Sequence, residues 1–245
     1  MKKMLSLVSA MVLGLGLLSV VAAPAEAKVR WTMTSPFARE IVVPGAVDRD
    51  QYNIEHVYEL QYRLRWAGLL EARPNGLFGP QTERAVKAFQ KRLGLKQTGR
   101  ADYRVWKPLI KRTVRGERMV PVVCQSAGWH ACYDRQRHQV NLYSNGVLLN
   151  SWLVRGGSYY RQTRTGDFRV QWRDVDHTSN TYGGAPMPYS QFFSGGQALH
   201  GSRNMMDPFV EHSHGCVNFW VEDARQLWNM TSDKPLQVHV YGAWD

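Results

Sequence analysis

The hydrophobic pattern of the chain changes its period once, between residues 113 and 121, and this change constrains the fold most. Before it, from residue 50 to 110, apolar residues recur at the three- and four-residue spacing of amphipathic helices. After it, apolar and polar residues alternate, as in strands that bury one face. The 245 residues are enough for two modest domains. The sequence therefore predicts an α+β chain, with a small helical domain followed by a mostly-β domain.

The first domain, residues 51–112, carries the signals of three helices. Val57 and Leu64 lie on one apolar face of a first helix. Pro80 suits the first position of a second helix, where its missing N–H costs no hydrogen bond. Asp102 is a good N-cap for a short third helix. We therefore expect a three-helix domain.

The second domain, residues 121–245, is predicted to be mostly β. Asn145-Gly146 supplies the positive backbone angles of a two-residue turn, so residues 139–154 are expected to form a hairpin. The other predicted elements are a strand at 167–173, a helix at 221–230 and a strand at 236–241. We expect a mixed sheet or sandwich with one or two helices.

Three segments lie outside these domains. Residues 1–27 have a basic start, an apolar run and a small-x-small site at Ala25-Glu26-Ala27, which is the pattern of a cleavable export signal. A membrane anchor is the alternative, because the apolar run is about long enough to span a bilayer. Residues 28–50 lack periodicity and indicate an extended lead-in, and residues 113–120 indicate a basic interdomain linker. We expect a secreted mature chain that begins near Lys28.

The chain is basic, with 31 Lys and Arg against 20 Asp and Glu and a net charge of +11. A basic exported protein is attracted to anionic surfaces over long distances. Nucleic acid is such a surface, but export argues against it, and a cell wall with carboxylates and phosphates fits better. Charge alone does not separate wall binding from plain solubility.

The three cysteines are unevenly spaced along the chain. Cys124 and Cys132 lie close together, and cysteines of exported proteins commonly pair. We expect a disulfide between them, with two buried thiols as the alternative, since sequence supplies no geometry. Cys216 is then left as a free thiol.

Cys216 lies among the residue types that nucleophilic catalysis needs. A thiol attacks well only as thiolate, and an ordinary cysteine has a pKa of about 8.5, so it needs a base such as His200 or His214. Gly215 leaves room for backbone amides to approach a reacting carbonyl. The pattern predicts acyl transfer through a thioester. Zinc binding by these histidines, His212 and Cys216 is the alternative.

Residues 51–112 resemble the small three-helix peptidoglycan-binding domain that often accompanies wall enzymes. The resemblance is carried by Gly76-x-Phe78-Gly79-Pro80-x-Thr82, Ala85-Val86-Lys87-x-Phe89-Gln90 and Asp102-x-x-x-Trp106, among others in the same order. It implies a role in wall binding. Most of these residues shape turns and a core, so none is assigned a ligand contact.

The second domain resembles the L,D-transpeptidase (YkuD-type) family. Ser213-His214-Gly215-Cys216-Val217-Asn218 matches its active-site signature, and His200-Gly201 matches its second histidine motif. Thr163-Arg164-Thr165-Gly166-Asp167-Phe168 is similar to its Thr-Pro-x-Gly-x-Phe loop. Two departures are Arg164 in place of Pro, which we expect to matter little, and Asn218 in place of the commoner Arg.

The resemblance implies a role for each matched position. Cys216 is the expected nucleophile, His200 the general base and proton donor, and His214 a residue that orders the site. The oxyanion hole is expected from the backbone N–H groups of His214, Gly215 and Cys216, and substrate contacts or loop support from Ser213, Asn218, Tyr189 and Met187.

The resemblance also implies the reaction. The thiol attacks the bond between the L-centre of a diamino acid and the terminal D-alanine of a wall stem tetrapeptide, and an amine of a neighbouring stem resolves the thioester as a cross-link. Water as acceptor would make the protein a carboxypeptidase, and a silent catalytic domain would leave a wall-binding protein. The family implies peptidoglycan as partner, inhibition by carbapenems, and no metal or cofactor. Membrane contact is expected only through an uncleaved signal segment.

Overall fold

The computed structural model describes residues 35–50, 54–114 and 120–244. The predicted export signal, residues 1–27, lies outside the described residues, as does most of the predicted linker. None of the described helices has the length and apolar character that a membrane span requires.

Three helices form the N-terminal unit, as predicted. They are α1 (Val57–Trp66), α2 (Pro80–Arg92) and α3 (Tyr103–Arg112). Pro80 is the first residue of α2, and the Asp102 side chain caps α3 by accepting the Arg104 N–H at 2.9 Å. Their shared core contains Leu60, Leu64, Val86, Phe89, Trp106 and Leu109, all of them buried.

The lead-in belongs to the helical unit rather than merely preceding it. Val42 forms an isolated β-bridge with Ala101, and Val47 forms another with Leu77. Phe37 is buried in the helical core. The segment is largely extended, as expected, but its packing gave no periodic signal because its contacts are scattered single residues.

Nine strands and one helix make up the C-terminal unit within the described residues. The strands are β1 (Trp129–Asp134), β2 (Gln139–Ser144), β3 (Val147–Leu153), β4 (Gly166–Arg169), β5 (Trp172–Thr178), β6 (Pro186–Ser194), β7 (Gln197–Gly201), β8 (Val217–Phe219) and β9 (Leu236–Tyr241). The helix α4 (Val221–Thr231) packs on β6, β7 and β8. This α+β architecture confirms the predicted fold class.

The strands form two sheets that enclose one core. One sheet has the order β3-β2-β1-β9-β4 and the other β5-β6-β7-β8. Only β1 with β9 and β7 with β8 are parallel among these pairs. Buried residues of both sheets meet between them, including Leu142, Trp152 and Val238 from the first and Phe193, Leu199 and Val217 from the second.

The predicted hairpin is confirmed, because β2 and β3 pair antiparallel around Asn145 and Gly146, both at positive φ. The single strand predicted at 167–173 is wrong. The Val170 N–H bonds to Leu236 O on β9, whereas the next N–H, on Gln171, bonds to Phe192 O on β6. The chain therefore crosses between the sheets there, and two strands replace one.

A disulfide between Cys124 and Cys132 attaches the short 3-10 turn Val122–Gln125 to β1. Both cysteines are fully buried with Val120 and Tyr143. Cys216 is the free cysteine of the chain.

The two units meet through a buried charge network. Arg39, from the lead-in, binds Glu59 of α1 through Nε at 2.6 Å and Nη2 at 3.0 Å. Arg63 binds the same carboxylate at 2.7 Å. Both guanidinium groups then donate to the carbonyl oxygen of Ser151 on β3, at 3.1 and 2.7 Å. Burial raises the pKa of Glu59, but the two guanidinium groups outweigh burial and lower it to about 2.

A second buried contact joins the lead-in, α1 and α4 through His56. Its Nδ1 lies 2.6 Å from Glu40, and its Nε2 lies 3.3 Å from Asp223. Burial lowers the pKa of His56, but the two carboxylates outweigh burial and raise it well above the usual value. His56, Glu59 and Asp223 are also close enough to share an ion, but Arg39 already lies 2.6 Å from Glu59 and 3.6 Å from Asp223. The Arg39 guanidinium group thus occupies the place between these two carboxylates that a bound cation would take.

An aromatic contact extends the interface to the segment that follows β7. Tyr62 of α1 donates its hydroxyl to Asp207 at 3.0 Å, and its ring lies 4.4 Å from that of Phe209. Trp66 packs on the same phenylalanine at 6.0 Å. The helical unit therefore supports the residues between β7 and β8.

Glu59→Gln should destabilise the protein by about 3–5 kcal/mol, because it removes the carboxylate that both buried guanidinium groups bind and leaves Arg39 only the more distant Asp223, at 3.6 Å. Chemical denaturation measures this loss. The matched control is Glu83→Gln, whose carboxylate pairs with Lys87 on the surface of α2. That change should cost no more than about 0.5 kcal/mol. Equal losses in the free energy of unfolding of the two variants would show that the buried network stabilises the protein no more than a surface ion pair does.

The stability of the protein should fall as the pH rises above neutral. A group whose pKa is raised on folding stabilises below its unfolded pKa, about 6.5 for histidine, and loses that effect as pH rises through its folded pKa. Melting temperatures from pH 6 to about pH 9 should therefore decline more steeply for the wild type than for His56→Gln. The exposed His212→Gln should follow the wild type. Parallel curves for all three proteins would contradict the charged state of His56.

Candidate active site

The parallel pairing of β7 with β8 brings the two predicted catalytic residues to one face of a sheet. His200 on β7 is the Cα partner of Asn218 on β8, and Leu199 is the partner of Val217. Cys216 immediately precedes β8 and lies two residues before Asn218, so both point to the same face. His200 and Cys216 thus share a face at adjacent strands, offset by two positions in the strand register, although 16 positions separate them in the chain.

His200 is held as a neutral imidazole. Its Nδ1 lies 2.8 Å from the carbonyl oxygen of Gly201, which can only accept, so Nδ1 carries the proton and Nε2 has a free lone pair. Burial, with a smaller contribution from nearby His177, outweighs the opposing effect of the Gly201 hydrogen bond and lowers the pKa of His200 to about 4. A ring of this kind is ready to accept a proton from a nearby thiol.

Cys216 is a partly buried, protonated thiol. Its Sγ lies 3.9 Å from the carbonyl oxygen of Gly196 and packs against Met187, Phe192 and Ala198. Burial raises the pKa of the Cys216 thiol above its usual value. No hydrogen bond joins this sulfur to His200 within the described parts of the chain. The resting site therefore holds two neutral groups rather than a thiolate and an imidazolium.

Ser213 fixes the turn that carries the nucleophile. Its hydroxyl donates to the Cys216 carbonyl at 2.5 Å and accepts the Gly215 N–H at 3.0 Å. The Gly215 N–H is thus paired with a hydroxyl in this state and would have to leave that partner to bind an oxyanion. The oxyanion hole remains a prediction for the N–H groups of His214, Gly215 and Cys216.

The strand-like segment that follows β3, residues 155–158, hydrogen-bonds to this turn and to β8. Arg155 and Asn218 exchange backbone hydrogen bonds at 2.8 and 2.9 Å. Gly156 O accepts from Ser213 N at 2.8 Å, and Ser213 O accepts from Ser158 N at 3.0 Å. The nucleophile turn is therefore tied to the first sheet as well as to the second.

The predicted zinc ligands have separate neighbours. His214 is exposed and stacks on Tyr182 at 4.5 Å between ring centroids, and His212 packs beside Trp244 at 5.3 Å. His200 bonds to a backbone carbonyl. This arrangement does not favour a shared ion, and the ordering role of His214 remains a prediction.

The three weaker substrate-contact predictions fall in different places. Met187 packs in the apolar cluster that Cys216 contacts. Tyr189 instead packs in the main core, with its ring 6.2 Å from that of Trp228 on α4. Asn218 is buried opposite His200, and its side-chain oxygen has no hydrogen-bond partner in the described residues. Met187 and Asn218 thus lie beside the site, whereas Tyr189 faces the core.

Sequence reasoning missed Gln197, the first residue of β7. Its side chain accepts the Arg164 N–H at 3.0 Å and donates to the carbonyl oxygen of Gln162, also at 3.0 Å. No motif marks it, because its partners lie more than 30 positions away. A proline has no N–H to donate, so Arg164 in place of Pro adds this bond, and the expectation that the difference matters little stays a prediction.

The fold and the candidate site together define a class of protein, in which a two-sheet domain carrying a free cysteine and a buried histidine follows a small helical domain. Residues 129–240 match the model of the L,D-transpeptidase catalytic domain (YkuD), and residues 53–109 match that of the peptidoglycan binding domain (PG_binding_1). The chain therefore belongs to the L,D-transpeptidase family, with an N-terminal peptidoglycan-binding domain. It is a peptidoglycan-modifying L,D-transpeptidase.

One solved structure agrees with this assignment, and a second is reported beside it. An L,D-transpeptidase from Stackebrandtia nassauensis is 25% identical, with a TM-score of 0.51, and the match covers 78% of this chain and 92% of that one. An L,D-transpeptidase from Xylanimonas cellulosilytica is also 25% identical, with a TM-score of 0.46, 82% of this chain and 97% of that one. No curated protein matches the chain.

Alkylation of Cys216 by iodoacetamide should accelerate steadily up to at least about pH 9, because burial raises the pKa of its thiol and only the thiolate reacts. Intact mass reports the rate without interference, since Cys124 and Cys132 are joined in a disulfide. Cys216→Ala should remain unmodified. A rate that levels off near neutral pH would instead reveal a thiolate–imidazolium pair at rest.

Proposed function

We propose that the protein is an exported cysteine transpeptidase that cross-links peptidoglycan stem peptides through a thioester on Cys216. The observation that supports this proposal is the parallel β7–β8 pairing, whose register aligns His200 with Asn218, two residues after the free cysteine Cys216. Family membership supports the reaction class. The donor, the cysteine mechanism and export are the parts that we add.

The first half-reaction transfers an acyl group to sulfur. His200 Nε2 takes the proton of Cys216 as the sulfur attacks the carbonyl between the diamino acid L-centre and the terminal D-alanine of a stem tetrapeptide. The imidazolium then gives this proton to the amine of D-alanine as the C–N bond breaks. The unpaired oxygen of Asn218, opposite His200, would favour the protonated ring during this step.

The second half-reaction returns the enzyme to its starting state. An amine of a neighbouring stem attacks the thioester carbonyl, passes its proton through His200 and releases the Cys216 thiol. Water in place of the amine would produce a trimmed tripeptide instead. The backbone N–H groups of His214, Gly215 and Cys216 would stabilise the oxyanion in both halves.

The neutral resting pair has a consequence for the rate. Forming the thiolate from a thiol of raised pKa is unfavourable in the empty site, so proton transfer and attack on the substrate must be closely coupled. Such a site limits the reactivity of the free thiol until a carbonyl group is in place.

The net charge of +11 supports a location in the cell wall, where it would favour contact with anionic wall polymers. The N-terminal peptidoglycan-binding domain supports the same location. The pattern of residues 1–27 supports export through a cleaved signal. A carbapenem would acylate Cys216 in the place of the donor peptide.

Incubation of the wild-type protein with a stem tetrapeptide and a separate amine acceptor should release D-alanine and yield a cross-linked product, both measured by mass spectrometry. Cys216→Ala should abolish the reaction, because no other free thiol is present. His200→Gln should lower the rate by about 10²–10⁴-fold through loss of general-base catalysis. Gln97→Ala, on the exposed surface of the helical domain, should have no effect.

The outcomes separate the alternatives. Trimmed tripeptide alone would mean a carboxypeptidase, and turnover by Cys216→Ala would exclude the thioester. Exposure to a carbapenem followed by intact-mass measurement supplies an independent result. An adduct on wild type that Cys216→Ala lacks supports the thioester chemistry, whereas no adduct and no turnover would indicate a catalytically silent domain.

A further inference from the structure

The side chain of Gln197 joins two loops of the candidate site. Its oxygen accepts the Arg164 backbone N–H at 3.0 Å, and its nitrogen donates to the carbonyl oxygen of Gln162 at 3.0 Å. The oxygen and the nitrogen of this side-chain amide thus both hydrogen-bond to the loop that precedes β4. The residue before it, Gly196, provides the carbonyl oxygen 3.9 Å from Cys216 Sγ.

The other side of the same amide faces the nucleophile turn. A Cβ atom added to Gly215 would lie 2.6 Å from the Gln197 nitrogen, which is closer than packed atoms approach. Gly215 also has φ of 122°, a conformation that side-chain-bearing residues rarely adopt. The Gly215 backbone therefore packs closely against the Gln197 amide, with no room for a side chain between them.

The sequence around this contact departs from the family pattern at the position that contributes the N–H. Arg164 stands where that pattern has proline, which has no N–H. The guanidinium group of Arg164 also donates to Ser194 O at 2.6 Å, just before the Gly195-Gly196 turn. Backbone and side chain of one residue thus hold both sides of the turn that leads into Gln197.

We propose that Gln197 is a positioning residue, which together with the Arg164 N–H fixes the Gly215–Cys216 turn against the 162–164 loop. It acts through the backbone that carries the nucleophile and touches neither the reacting atoms nor the proton. This inference rests on the proposed transpeptidase function for its kinetic effect, but not for its structural effect.

We call the hydrogen bonds of the Gln197 side chain to the Arg164 N–H and the Gln162 carbonyl oxygen the clamp. Two substitutions that break it test its effect on the reaction rate. Gln197→Met keeps the bulk beside Gly215 and removes both hydrogen bonds, so kcat for transpeptidation should fall by about 10–100-fold, as for small misplacements of reacting groups. KM should change by less than about twofold, because donor contacts remain. Arg164→Pro removes the same N–H and should act similarly, whereas Arg164→Ala keeps that N–H and should lower kcat much less. Gln97→Met is the matched control on the helical domain.

The combined variant decides whether the two residues act together. If one clamp is involved, Arg164→Pro in the Gln197→Met background should add little to the loss already present. Full multiplication of the two effects, or an unchanged kcat in Gln197→Met, would overturn the proposal. A KM increase as large as the kcat loss would make Gln197 a substrate-binding residue instead.

A readout without turnover keeps this test distinct from the proposed function. Amide hydrogen exchange of Arg164 and Gly215 should accelerate in Gln197→Met, while the melting temperature and the exchange of α4 stay close to wild type. If wild type cross-links nothing but exchange accelerates as expected, the proposed function fails and the clamp stands. If exchange at both amides is unchanged, the clamp is excluded whatever the activity.

Discussion

The carbonyl oxygen of Ser151 accepts hydrogen bonds from Arg39 and Arg63, and the relative position of the two domains depends on this contact. The same strand that carries Ser151 continues into Arg155 and the 156–158 segment, whose backbone pairs with the nucleophile turn and Asn218. A displacement of the helical domain would therefore act on one end of a continuous segment, residues 147–158, whose other end hydrogen-bonds to the turn that carries Cys216. Tyr62 makes a second connection, through Asp207, to the residues between β7 and β8. The peptidoglycan-binding domain is thus part of the scaffold of the site and not a loosely tethered appendage.

Buried ion pairs of this kind contribute little net stability, because desolvation offsets most of their attraction. Their main effect is on specificity, since any other docking of the helical domain would leave the buried Arg39 and Arg63 guanidinium groups without the Ser151 carbonyl oxygen. Glu59 alone holds two guanidinium groups, and both then need the Ser151 carbonyl to complete their hydrogen bonds. The geometry therefore favours one arrangement of the domains at a modest gain in free energy.

Local sequence signals predicted the helices and the hairpin well, because the interactions that start them involve residues close together in the chain. Pro80 and Asp102 marked helix starts, and Asn145-Gly146 marked the hairpin, because each acts through its own backbone. The sheet change at Val170 and Gln171 was not predictable, since both residues fit a strand and only their partners differ. The same limit applies to the lead-in, whose buried Arg39 looks like any surface arginine in the sequence.

For the site, the motif located Cys216 and the resemblance supplied His200, but neither indicated their electrostatic state. That state depends on burial and on the Gly201 carbonyl, which are properties of the folded sheet. The pairing of the Gly215 N–H with Ser213 is equally invisible in a list of residue types, because a glycine N–H looks available until its partner is known. Family patterns record which side chains recur, whereas the position of this nucleophile also depends on backbone contacts to Arg164 and Gly215 that side-chain identity does not encode. A substitution at a proline position is therefore informative here for the N–H that it adds rather than for the side chain that it introduces.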